Sequence, residues 1–195
     1  MGKFLENLHR ALLLGIFLML VVVVGLHRGS VAEPVWAGYF LMYLHVFFGI
    51  LWIGLLYYFN FVQIPTMPKI PAELKPGVSK FIAPAALFWF RWAAAMTVLF
   101  GLITAWRKDD IALTLEAREP YTVIGIGMWL AIIMAANVWF IIWPNQQRAL
   151  GLVPADDASK AKSARTAMVA SRVNTVLSIP MLYCMVMQGA ALNIG

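Results

Sequence analysis

From Trp36 to Val62 the chain runs 27 residues without a formally charged side chain. At 1.5 Å per residue a helix of that length spans about 40 Å, more than the ~30 Å hydrocarbon core of a bilayer. Backbone N–H and C=O groups find no water at that depth, and a helix satisfies them within one segment. Four further runs are nearly as apolar, Tyr121–Trp143 with no charge and Leu8–Leu26, Ala85–Trp106 and Thr166–Leu192 with one arginine each (Arg10, Arg91 and Arg172). With 62% hydrophobic and 12% charged residues, the chain also departs from soluble domains, which are about half apolar and a quarter charged. The expected fold class is therefore all-α integral membrane protein, a bundle of five transmembrane helices forming a single domain over residues 1–195.

The first run begins amphipathically (MGKFLENLHR) and reads as a retained helix. His27 and Arg28, just before Ser30-Val31-Ala32, argue against signal-peptide cleavage there. Pro65, Pro68, Pro71, Pro76 and Pro84 predict an extended loop between the second and third helices. A short surface helix is expected from Asp156, and Pro180 is expected to kink the fifth helix. With the N-terminus inside, the inner segments carry Lys3, Arg10, Lys69, Lys75, Lys80, Arg148, Lys160, Lys162 and Arg165; the outer ones carry Arg28, Arg107, Lys108 and Arg118. The positive-inside rule then places the N-terminus in the cytoplasm and the C-terminus outside.

Several function classes drop out. No acidic residue falls within a helix core, so a transmembrane carboxylate relay and a carboxylate di-metal site have no ligands. The single cysteine, Cys184, forms no internal disulfide, and no Cys-x-x-Cys-His motif attaches a c-type haem. The net charge of +6 is spread over short loops without a basic aromatic stripe, which excludes a nucleic-acid surface.

What remains is a set of polar side chains at membrane depth, where ionisable groups mark functional sites. His45 lies nine residues past Trp36, about 13 Å below the outer surface, with Gly49 and Trp52 one and two turns further on the same face. A glycine beside a histidine leaves room for a flat ligand, so these three form a candidate haem site; a hydrogen bond across the bundle is the alternative for His45. Arg91, Asn60, Asn137, Arg172 and Asn174 fall in the cytoplasmic half on four helices. Ser171, Asn174 and Ser178 form a stripe on the fifth helix. These residues are expected to line a polar or substrate cavity, with the two arginines facing an anion such as a haem propionate; helix–helix glue is the alternative for the serines and asparagines.

LHVFFGILWIGLLYYFNFVQIP on the second helix resembles the membrane-bound urate hydroxylase family, whose membrane part is the urate oxidase N-terminal domain. FRWAAAMTVLFGL, NVWFIIWPNQQ and ASRVNTVLSIPMLYCM continue the likeness in order, from about Tyr39 to Met187. The second-helix pattern is more distantly similar to the histidine-bearing helix of the haem-linked membrane protoporphyrinogen oxidase family. The urate resemblance implies a domain of a bacterial inner membrane with its C-terminus in the periplasm, commonly followed by a periplasmic cytochrome c accepting electrons from purine oxidation. This chain stops at Gly195 without one, so its electron acceptor is expected on a partner polypeptide.

The functional expectation is a redox subunit binding haem b through His45, with iron as the metal, Met181 or Met185 or an open position opposite, and membrane-complex subunits or a periplasmic cytochrome c as partners. A cofactor-free accessory subunit of a respiratory or photosynthetic complex is the alternative. A urate hydroxylase-like oxidoreductase is a third.

Overall fold

A computed structural model of the chain describes residues 2–107 and 111–194. Lys108, Asp109 and Asp110 of the charged loop lie outside the described residues. No strand occurs among them. Five helices are long and apolar enough to cross a membrane: α1 (Leu8–His27), α2 (Pro34–Lys69), α3 (Lys75–Arg107), α4 (Thr122–Ala149) and α5, whose span is Asp157–Gln188. The chain divides into two compact units, Met1–Phe40 and Leu41–Gly195.

In the first unit, Asn7 caps α1. Its side chain accepts from the backbone N–H of His9 and Arg10 at 3.0 and 3.3 Å, satisfying donors that a helix start leaves open. No residue of α1 is buried within the chain. Trp36 and Phe40 stack at 5.2 Å near the start of α2.

In the second unit, α2 to α5 run antiparallel in sequence order. Phe48 stacks on Phe100 and Phe59 meets Phe90 edge-on across α2 and α3. The core gathers Trp52, Leu56 and Phe59 from α2 and Leu87, Phe90 and Ala94 from α3. Met134, Val138 and Ile142 from α4 join Ala170 and Met181 from α5. Small residues let the backbones close up: a Cβ on Gly127 of α4 would stand 2.8 Å from Cβ of Cys184 on α5. On Gly125 it would collide with the Thr114 carbonyl oxygen of the preceding segment. Gln188 ties the far ends of this helix pair together. Its amide accepts from Ile124 N–H at 2.8 Å, an open donor in the first turn of α4, and donates to the Pro120 carbonyl at 2.9 Å.

The proline-rich connection differs from the expected extended loop. Helical turns continue through Pro65 and Pro68 and resume at Lys75, leaving only Ile70–Leu74 between the two spans. The reason lies in three π-helical segments, Tyr58–Gln63, Val78–Ile82 and Val138–Ile142. Each ends two residues before a proline: Pro65, Pro84 and Pro144. A proline lacks the N–H that would reach the carbonyl four residues back, and its ring crowds that carbonyl. In all three cases the crowded residue (Phe61, Lys80 or Phe140) lies inside the π segment. There the backbone widens to five-residue bonds: Ile64 to Phe59, Ala83 to Val78 and Trp143 to Val138. The helices thus absorb their prolines instead of ending at them. For the same reason α3 begins ten residues before its expected start and α4 continues past Trp143. The surface helix expected from Asp156 is continuous with α5.

Candidate functional site

His45 is half-buried and faces α3. Its Nδ1 lies 2.8 Å from the Thr97 carbonyl oxygen. A carbonyl only accepts, so Nδ1 carries a proton and Nε2 is the ring nitrogen left for another partner. Among the described residues Nε2 has no hydrogen-bond partner. The space for the ring comes from Gly101 on α3: a Cβ there would lie 2.9 Å from Nδ1 and 3.0 Å from Cε1. Gly49, the residue expected to leave room for a flat ligand, faces α3 instead. Its missing Cβ points at the Thr97 methyl group 3.7 Å away, an ordinary packing distance. Helix α3 therefore occupies the slot on that side, because Thr97 and Gly101 alternate along it against Gly49 and His45. Trp52 is fully buried in the core, and among the described residues its indole N–H has no partner.

The expected polar set divides by whether its hydrogen bonds close. Tyr57 on α2 meets the hydroxyl of Ser178 on α5 at 3.0 Å. Asn60 donates to Ser171 at 2.8 Å and to the Leu56 carbonyl at 2.9 Å. Asn137 on α4 donates to Asn174 at 2.7 Å and to the Ala170 carbonyl at 2.9 Å, while Asn174 donates to the Met134 carbonyl at 3.0 Å. Asn174 and Ser178 are completely buried. This ladder joins α2 and α4 to α5, and such bonds hold membrane helices in register.

Arg172 does not join it. Two residues from Asn174, it stands about 200° around the helix, exposed, and among the described residues no carboxylate pairs with it.

A second group stays open. Arg91 on α3 lies flat over Trp143 of α4, 3.4 Å from the ring centroid, with Trp139 at 5.8 Å. Its Nε and Nη1 are buried with no hydrogen-bond partner among the described residues. Asn60 Oδ1 and Gln63 Oε1 are likewise buried and unpaired. The Phe59–Phe90 contact at 5.6 Å brings the Asn60 stretch of α2 beside the Arg91 stretch of α3. Two donors of a cation on α3, turned toward α4, and two amide acceptors on α2, whose Asn60 turns toward α5, are thus unsatisfied. Each such group costs about 1–3 kcal/mol, more where charged. Gln63 was not singled out in the sequence; its place one turn beyond Asn60, on the core face of α2, is the signal that finds it.

Met181 and Met185, suggested opposite His45, belong to the α4–α5 contact: Met181 is in the core and Met185 Cε would meet a Cβ on Gly127 at 3.5 Å. No cluster of three or more His, Cys, Asp or Glu side chains that could hold a metal occurs among the described residues.

The fold is all-helical among the described residues, with five helices long and apolar enough to cross a membrane and no carboxylate among the described buried polar residues. Residues 102–193, from the end of α3 through α5, match the family model described as urate oxidase N-terminal, as the sequence resemblance led one to expect. No match was found among curated proteins or among solved structures.

Proposed function

We propose that this chain is a membrane redox subunit that ligates a b-type haem through Nε2 of His45 and works with partner proteins. One observation carries the reading: the Thr97 carbonyl holds Nδ1–H and orients the ring, leaving Nε2 for another partner. Metal-ligating histidines are generally held in this way, the second nitrogen donating to a carbonyl or carboxylate. A bound haem supplies one-electron chemistry, and the chain supplies the ligand, its orientation and an apolar surround. Because α3 fills the side of α2 at Gly49, the remaining groups that would hold a haem beside His45 would come from a partner.

At the other end of the unit, Arg91, Asn60 and Gln63 offer two cationic N–H donors and two amide acceptors beside flat aromatic faces. A planar anion with both carbonyl and N–H edges matches that set. Urate, the compound in the family's description, has this chemistry, which supports an oxidoreductase role with electrons leaving through the haem to a cytochrome or complex subunit.

The test is a reduced-minus-oxidised spectrum of the protein purified after expression with haem supplied. The expected result is b-type bands in the wild type and none in His45→Ala of equal yield. Wild-type protein without such bands overturns the reading. It would favour a cofactor-free accessory subunit of a respiratory or photosynthetic complex, to which the tight seating of His45 against Gly101 also lends itself. Co-purification with such a complex in fixed stoichiometry is that reading's own signature.

A further inference from the structure

Helices α4 and α5 leave between them a groove of about 880 Å³ that neither reading above uses. Its long walls are apolar: Ile133, Phe140 and Ile141 on one side, Val169, Val173 and Leu177 on the other. At one end stand Lys162 and Arg165. They are three residues apart and so share a helix face. From Lys162 to Leu177 the groove follows 15 residues of helix, about 22 Å, against ~15 Å for half of a bilayer's hydrocarbon core.

Both basic side chains are exposed, and among the described residues neither has a carboxylate partner. The acids at the start of α5 are engaged elsewhere: Asp157 pairs with Lys160 at 3.1 Å, and Asp156 holds Ser159. Asn137 also lines the groove, but both of its amide donors are committed to α5. The polarity that remains is two positive charges over an apolar channel.

We propose that this groove binds an anionic phospholipid, its phosphate held by Lys162 and Arg165 and an acyl chain laid along the channel. The pattern of the groove is that of the amphiphile. A soluble anion would use the charges and leave the channel empty. A zwitterionic lipid would fill the channel and, with its own cation beside the phosphate, gain less from the charges. Basic pockets between helices at a membrane face bind acidic headgroups for this reason.

Native mass spectrometry of the full chain in detergent tests it, with phosphatidylglycerol and phosphatidylcholine of matched acyl chains as probes. Each basic side chain contributes roughly a fivefold preference, so the wild type should retain phosphatidylglycerol about 30-fold better. K162Q/R165Q, a change at two exposed positions, should bring the two lipids to parity. Val173→Trp, which fills the channel, should lower retention of both lipids while the charges remain. Arg148→Gln, at an exposed position outside the groove, should leave the preference intact. Equal retention by the wild type, a preference surviving in K162Q/R165Q, or full retention by Val173→Trp overturns the proposal.

Discussion

Replacing Gly101 by alanine probes the seat of His45 directly. The added Cβ would fall 2.9 Å from Nδ1 and 3.0 Å from Cε1, well inside the ~3.5–4.0 Å at which nonbonded contacts are most favourable. Either the imidazole rotates or α2 retreats, and both motions break the 2.8 Å bond to the Thr97 carbonyl. Overpacking costs typically 1–3 kcal/mol, and a stranded N–H adds about 1. The better helix propensity of alanine returns up to about 1 kcal/mol. The net expectation is a loss of about 1–3 kcal/mol, or roughly 2–12 °C in Tm for a chain of this size. Gly49→Ala is the matched control, because its Cβ would meet only the Thr97 methyl at 3.7 Å; it should leave Tm unchanged or slightly raised. In a His45→Ala background Gly101→Ala should become nearly neutral, giving a coupling of about 1 kcal/mol. The buried single thiol of Cys184 provides the assay: its labelling by a fluorogenic maleimide during heating in detergent reports opening of the α4–α5 contact. An unchanged Tm for Gly101→Ala, an equal loss for Gly49→Ala, or additivity in the double variant would refute the described seating.

Two further outcomes follow from other parts of the bundle. Asn174→Ala removes the acceptor of Asn137 and the donor to Met134. Transmembrane hydrogen bonds average about 0.6 kcal/mol, up to ~1.7, so a loss of about 1–2 kcal/mol is expected in the same thermal assay, while Arg172→Gln at its exposed position should stay within ~0.5. At the start of α5, the backbone N–H of Ser159 and then its hydroxyl hold the Asp156 carboxyl below its usual range. A carboxylate with a depressed folded pKa stabilises above its unfolded value of about 3.9 and loses that contribution as pH falls through the folded one. Nuclear magnetic resonance of the Ser159 amide should therefore show the capped shift down to below pH 4 and lose it in more acid, a transition that Asp156→Asn abolishes.

Five spans were legible in the sequence because an apolar run of about 20 residues with at most one charge has few other solutions. What the runs do not encode is how helices absorb proline. Pro65 and Pro84 read as breakers and the fourth run as ending at Trp143, yet the cost of Pro65, Pro84 and Pro144 is met locally by widening the preceding turn, so the helices extend up to ten residues beyond their expected ends. The candidate site was legible in its residues and less so in its pairings. The i, i+3, i+7 stripe of Ser171, Asn174 and Ser178 needs only helical periodicity, and it is buried as a face. Arg172 was misjudged because depth along a helix says nothing of direction around it. Gly49 was preferred over Gly101 because it neighbours His45 in sequence, whereas the glycine that accommodates a ring stands on the facing helix.

The π segments bear on which polar groups serve the fold and which serve a ligand. The bonds among Tyr57, Ser178, Asn137, Asn174, Ser171 and the amide nitrogen of Asn60 close on one another, so removing any partner strands another. Such a network explains its own presence without a ligand. Arg91, Gln63 and the amide oxygen of Asn60 have no such explanation, and their surroundings are distinctive. Asn60 and Gln63 lie within the π segment of α2, and Arg91 stacks against Trp139 inside the π segment of α4 and Trp143 just after it. A π turn rotates the side chains that follow it relative to a regular helix, and such turns recur at functional sites. Without Pro65 and Pro144 the backbone would have no reason to widen there. The prolines thus bear on the aim of the groups left without partners, Asn60 and Gln63 before Pro65 and the aromatic seat of Arg91 around Pro144.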